Sequence, residues 1–241
     1  MPRFYCPGPL IAGATVDLPE ALAHHLHVVR QQPGAELVLF NGEGGQVRAT
    51  LAELGKKRAA ALVLAHEALE VELPYAVTLA QALPEASKMD WIIEKAVELG
   101  VAAIAPLAAQ RCVVRLSGER ADKRHAHWQG VIVAASEQSG RNRLAALAAV
   151  EDVGRWLARP SAAPRILLSP RADQSLAGWA RASGPQALTL MVGPEGGFAP
   201  AEEAAALAAG ALALSMGPRV LRTETAALAA MAALNATWGG M

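Results

Sequence analysis

Apolar positions in the first part of the chain come in short alternating runs. ELVLF (36–40) and QVRATLAEL (46–54) flank NGEGG (41–45), and the second run alternates at Val47, Ala49 and Leu51. Period-two patterning around a glycine-rich turn predicts a β-hairpin. RAAALVLAHE (58–67) predicts a further strand, and EALAHHLHVVR (20–30) one short helix. EVELPY (70–75) reads as an extended linker, because Pro74 disfavours helix at the residue before it.

The rhythm then changes to strand–helix alternation. Strands are predicted at 76–83, 101–108, 165–170, 187–192 and 211–216. These runs are apolar nearly throughout, as strands covered on both faces of a parallel sheet require. In SKMDWIIEKAVELG (87–100), Met89, Ile92, Ile93, Ala96 and Leu99 fall on one helical face, with Ser87 as N-cap and Gly100 as the stop. In HAHWQGVIVAASEQSG (125–140), Trp128, Val131, Ile132 and Ala135 do the same, and Gly140 ends the helix. The expected architecture is α/β, with domains at 1–72 and 73–241.

Composition narrows the function classes. The chain has 241 residues, 53% hydrophobic and 18% charged, with 22 basic residues balancing 22 acidic ones. A whole-molecule attraction to nucleic acid is therefore absent, and RNA would have to be gripped by local patches. Cys6 and Cys112 lie far apart and suit free thiols in a reducing compartment. The start lacks the apolar core of a secretory signal, and the uncharged run at 225–241 is mostly alanine, so a buried helix is expected there and not a membrane span. A cytoplasmic protein is expected.

Two loops carry the candidate chemistry. LMVGPEGGFAPAEE (190–203) ends an apolar strand in a loop with Gly193, Gly196 and Gly197, and Glu195 is that loop's one charge. A phosphate-binding loop would need Lys and Ser/Thr after its last glycine, and a dinucleotide fingerprint needs G-x-G-x-x-G at the first strand. A neutral or cationic ligand held by bare backbone fits better, and S-adenosylmethionine is one; a plain tight turn is the competing explanation. In SMGPRVLRTETAALAAMAAL (215–234), a second strand ends in Gly217, Arg219 and Arg222 bracket a loop, and Thr223 is placed to cap the following helix, with Glu224 in its first turn. Arg111, Arg115, Arg120, Lys123 and Arg124 form a basic cluster suited to phosphate contacts, or a solvated helix face. His24, His25 and His27 lack the i, i+4 spacing of a zinc helix, so no metal is expected.

GPEGGF, LRTETA, SEQSGRNR and MDWIIEKAVELGV, in this chain preceded by MPRFY and HHLHVVR, resemble the ribosomal RNA small subunit methyltransferase E family over nearly the whole chain. The resemblance implies a SPOUT-class enzyme that uses S-adenosylmethionine to methylate N3 of one uridine of 16S rRNA in the small ribosomal subunit. It implies a PUA-like β-barrel RNA-binding domain followed by a methyltransferase domain with a C-terminal trefoil knot, acting as a homodimer. The knot follows from the resemblance alone. Cofactor contacts are then expected at Leu168, Met191, Gly193, Glu195, Gly196, Gly197, Met216, Gly217, Leu221 and Thr223. Arg222 is expected to steady negative charge on the base, and Glu224 to position Arg222 or accept a proton. Glu137 and Arg141, around the Gly140 stop, are further candidates for the catalytic site, and Arg3, His25, Arg30, Arg111 and Arg115 for RNA contact. A 2′-O-ribose methyltransferase and a non-catalytic ribosome-assembly factor are the rival functions.

Overall fold

The computed structural model describes residues 1–85 and 87–240, so Met241, at the end of the run weighed as a membrane tail, lies outside the described residues. The chain divides into two compact units, and the first combines Met1–Glu72 with a later segment, Ser136–Leu144.

In the first unit, β1 (Arg3–Tyr5), β2 (Thr15–Asp17), β3 (Glu36–Phe40), β4 (Gln46–Leu54) and β5 (Ala59–Glu67) form one sheet in the order β1-β3-β4-β5-β2. β3 and β4 are the predicted hairpin, antiparallel with Leu39 opposite Val47. The alternating set Val47, Ala49 and Leu51 is buried, at 1%, 1% and 0% exposure, and so faces the core. Helix α1 (Glu20–Val28) lays Leu22, Ala23 and Leu26 on that core and leaves its three histidines outside. The helix is closed at Arg30, which holds φ of +57°, the left-handed conformation that usually calls for glycine or asparagine.

Segment 136–144 is bonded into this unit. Arg3 donates through Nη2 to the Arg141 carbonyl at 2.6 Å and to Asn142 Oδ1 at 2.7 Å. Asn142, fully buried, donates in turn to the Leu69 carbonyl at 2.5 Å. Gly44 holds φ of +112°, which L side chains rarely adopt, and an added Cβ would displace the ends of the Arg143 and Glu70 side chains.

The second unit contains β6 (Val77–Ala82), α2 (Lys88–Glu98), β7 (Ala103–Ala108), α3 (Gly118–Ser139, whose last turn belongs with the first unit), β8 (Ala146–Leu147), β9 (Glu151–Asp152) and α4 (Val153–Leu157). It continues with β10 (Arg165–Leu168), α5 (Leu176–Ser183), β11 (Leu188–Val192), α6 (Pro200–Ala208), β12 (Leu212–Leu214) and α7 (Thr223–Trp238). The sheet runs β12-β10-β11-β6-β7-β8, with β9 also on β7, and every pairing is parallel. All five predicted strands are present, and each residue of central β11 is buried, as an apolar run covered on two faces should be.

On α2, Met89, Ile92, Ile93 and Ala96 are buried as the spacing predicted. Each of the larger side chains contributes about 1.5–3 kcal/mol by leaving water. Val97 completes that face, while Leu99 is the half-buried C-cap. Ser87 occupies the N-cap position without making a side-chain capping bond. α7 is seated at its far end by Asn235, which accepts from the Tyr75 hydroxyl at 2.8 Å and donates to the Leu99 carbonyl at 2.9 Å. Trp238 donates to the Ala180 carbonyl at 2.8 Å. Among the described residues, no helix is long and apolar enough to cross a membrane.

Because every strand is parallel, the loops leaving β6, β7, β10, β11 and β12 emerge along one edge of the sheet. In open α/β sheets that edge is where ligands bind.

Candidate active site

A cavity of about 530 Å³ opens at this edge, lined by the loops after β10, β11 and β12 and by the start of α7. Its size lies within the roughly 300–1,000 Å³ of small-molecule sites. Leu168, Met216 and Leu221 present half-exposed apolar side chains, and Gly193, Gly196 and Gly197 present bare backbone. An apolar slot beside backbone uncovered by side chains suits a flat heterocycle that must approach closely.

The three glycines have different jobs. At Gly193 an added Cβ would stand 2.9 Å from the Phe198 backbone nitrogen and 3.1 Å from Gly197 backbone, so the loop closes on itself only without a side chain. Gly197 has open space around it but φ of +68°, a conformation that L side chains resist. Gly196 is under neither constraint; its Cβ would meet Arg111 at an ordinary 3.5 Å.

The loop is held from several sides. Thr223 donates its hydroxyl to the Gly193 carbonyl at 2.6 Å and accepts from Gln81 Nε2 at 2.9 Å. Gln81 is fully buried in β6, so β6, the loop after β11 and the start of α7 are joined through one hydroxyl. Thr223 is the first helical residue of α7 and not its cap: Arg222 takes the N-cap position and makes no capping bond. The expected capping role is therefore corrected, because that hydroxyl is aimed across the sheet and not back along its own helix.

Lys88, in the first turn of α2, donates to Glu195 at 2.9 Å and to Glu85 at 2.9 Å, and lies 4.0 Å from Glu224. These carboxylates, Glu85 first, push the Lys88 ammonium up to about 12. Burial alone would raise the Glu195 carboxyl, but Lys88 and the backbone N–H of Glu85 hold it below the ordinary value. Glu195 is thus a fixed anion with its charge matched outside the loop. One oxygen of Glu224 is shut from solvent and has no hydrogen-bond partner.

Four arginines and two glutamates line the cavity. Glu195 is matched by Lys88, Glu203 by Arg171, and Arg111 donates to loop carbonyls. Among the described residues, Arg219 and Arg222 have no such partner; both are exposed, and they are the cations left for an incoming anion.

Eight of the ten expected cofactor residues line this cavity: Leu168, Gly193, Glu195, Gly196, Gly197, Met216, Leu221 and Thr223. Met191 is buried inside β11, and Gly217 adopts φ of +95° in the neighbouring loop; neither is part of the lining. Arg222 lines the cavity and Glu224 sits one helical position behind Thr223.

Of the remaining expected site residues, Arg111 is part of the lining and the others are not. Glu137 and Arg141 lie in the first unit. Glu137 accepts from the Tyr5 backbone N–H at 2.7 Å, and burial raises its carboxyl above the usual range despite that bond and the nearby His25 and Arg3. Arg141, 3% exposed, donates to Glu72 through Nε at 3.0 Å and Nη2 at 2.5 Å. Arg3 is turned inward, with its guanidinium 4.2 Å from the centre of the Phe40 ring. His25 and Arg30 are exposed. Arg115 donates to the Ala109 and Gln110 carbonyls at 3.0 and 2.8 Å. Among the described residues, no group of three His, Cys, Asp or Glu side chains is placed to hold a metal.

A parallel α/β sheet carries a glycine-walled cavity at its strand ends, and a β-rich unit comes earlier in the chain; both parts match RNA methyltransferase families. A family model described as an RNA methyltransferase domain matches residues 71–235, and an RNA methyltransferase PUA domain matches residues 18–64. The chain belongs to the ribosomal RNA small subunit methyltransferase E family. The relative of that name from Mycobacterium bovis is 36% identical, covering 93% of this chain and 86% of its own length. The one from Bacillus subtilis is 30% identical over 90% of this chain and 87% of its own. A crystal structure of the Neisseria gonorrhoeae ribosomal RNA small subunit methyltransferase E bound to S-adenosyl methionine is 40% identical, covers 99% of this chain and 98% of its own, and has a TM-score of 0.91. The expected α/β fold with a PUA-like first domain therefore stands.

Proposed function

We propose that this chain binds S-adenosylmethionine in the cavity at the strand ends and methylates N3 of one uridine of 16S rRNA. The observation that carries the reading is the cavity wall itself: bare backbone at Gly193 and Gly197 beside half-exposed Leu168, Met216 and Leu221, with unpartnered Arg222 among the lining residues. The likeness to a relative solved with S-adenosyl methionine supports it.

The bound cofactor would supply an already activated methyl group, so the protein's task is to position and to manage charge. The apolar side chains and the peptide groups of the glycine loop hold and orient the cofactor. The uracil N3–H is not nucleophilic until its proton leaves, and the resulting anion spreads onto the neighbouring carbonyl oxygens. Arg222 is assigned to those oxygens, as a fixed cation aimed where charge develops. Glu224, whose buried Oε2 has no hydrogen bond and lies 4.0 Å from Lys88 Nζ, is assigned to hold Arg222 in place or to take the N3 proton. Glu137 and Arg141 remain candidates for the same site; within the first unit Glu137 Oε1 accepts from the Tyr5 N–H and Arg141 is paired with Glu72.

The first domain, taken as 1–72, is proposed to contact RNA through His25 and Arg30, and the protein to act as a cytoplasmic homodimer. The trefoil knot, implied by the family resemblance, is part of the same proposal.

Calorimetry with S-adenosylmethionine tests the cofactor, and nucleoside mass spectrometry of 16S rRNA from a strain lacking the gene tests the product. Loss of N3-methyluridine is expected. Loss of a 2′-O-methylnucleoside in its place would overturn the assignment.

A further inference from the structure

The two arginines of RCVVR (111–115) count as basic residues in the sequence and both are exposed, but each guanidinium is hydrogen-bonded to backbone carbonyls of the second unit. Arg115 donates to the Ala109 and Gln110 carbonyls and so fixes the turn that leaves β7. Within that turn the Gln110 backbone N–H donates to Glu202 at 2.7 Å, and Glu202 also accepts from the Ala199 backbone N–H at 2.8 Å, closing the start of α6. Arg111 then donates through Nη1 to the Gly196 carbonyl at 2.8 Å and the Phe198 carbonyl at 3.4 Å. The glycine loop and the helix that follows it are thus both held by the turn after β7. A loop with three glycines has large conformational entropy to lose, and a charged donor on its carbonyls limits that freedom before any ligand arrives.

We propose that Arg111 is a positioning residue for the cofactor loop and not an RNA phosphate contact. Arg111 sets the affinity for S-adenosylmethionine by holding the Gly196–Phe198 backbone, and Arg115 sets Arg111 by holding the turn that carries it. The inference rests on the cofactor reading above. It makes part of the basic stretch a brace for the pocket and leaves phosphate contacts to residues with no internal partner.

The test uses the full-length protein, with calorimetry against S-adenosylmethionine and binding of a 16S rRNA fragment over a salt series at saturating cofactor. Arg111→Ala is expected to weaken cofactor affinity about tenfold or more, through loss of the charge-assisted donor to the Gly196 and Phe198 carbonyls. The KM for cofactor should rise in step, while kcat at saturating cofactor stays within about threefold and the salt slope of RNA binding is unchanged. Arg111→Lys keeps the charge and one donor; an intermediate cofactor affinity at wild-type Tm is expected and guards against misfolding of the alanine variant. Unchanged cofactor affinity in both variants, or a salt slope reduced by about one with RNA affinity lost, would overturn the proposal. A wild-type protein that binds no S-adenosylmethionine would instead sink the cofactor reading itself.

Discussion

Thr223 and Gly193 are joined by a 2.6 Å hydrogen bond from hydroxyl to carbonyl, which fastens the first turn of the last helix to the loop after the central strand. Replacing Thr223 with valine keeps the shape and removes the hydroxyl. The Gly193 carbonyl and the Gln81 amide would then both lose a partner in a buried setting, a cost of about 1–3 kcal/mol. Thr223→Val is expected to lower the unfolding free energy by that amount in a denaturant titration and to weaken cofactor binding, whereas Thr223→Ser keeps both. Equal stability and affinity in the valine variant would show that the tie is incidental.

The glycines should respond in a definite order. Gly193→Ala places a Cβ 2.9 Å from backbone that cannot swing aside, so the loop must open and cofactor binding should be lost. Gly197→Ala meets no atom, only the left-handed backbone, at about 1–2 kcal/mol. Gly197→Val adds β-branching and should be worse than alanine at the same position. Calorimetry that finds Gly193→Ala milder than Gly197→Ala would refute the crowding argument.

The Arg222 side chain is exposed and makes no hydrogen bond or ion pair among the described residues, so the fold does not need its guanidinium. Arg222→Ala is expected to abolish methylation while changing stability by no more than about 0.5 kcal/mol. Turnover at the wild-type rate would remove this residue from the chemistry.

Burial pushes the thiols of Cys6 and Cys112 above the ordinary range. Folding therefore favours the protonated thiol: the stabilisation is complete below the ordinary value of about 8.5 and fades as pH rises through the higher folded value. At pH 8 an Ellman-type reagent should label neither cysteine in the native protein and both after denaturation. Rapid native labelling would contradict the burial of these groups, 2% and 4% exposed.

Period and glycine spacing made the large features legible. The apolar run at 188–192 and the glycines that follow it are local signals, and the structure puts the cavity where they point. What escaped was made by contacts distant in sequence. Gln81 and Lys88 carry no motif, yet one reaches Thr223 across 142 positions and the other Glu195 across 107. Arg111 and Arg115 are exposed, and nothing in the sequence shows the carbonyls they hold. Thr223 differs by a single position, from cap to first helical residue, which is the usual precision of a boundary drawn from pattern.

Segment 136–144 makes the first unit a two-piece fold, and this limits how the gene can be cut. A fragment ending at residue 72 would leave the Tyr5 amide without its carboxylate, Glu72 without its guanidinium, and Arg3 without two of its three acceptors. Excision at the linker orphans those groups, whereas splicing the nine-residue plank back through a flexible tether would restore them.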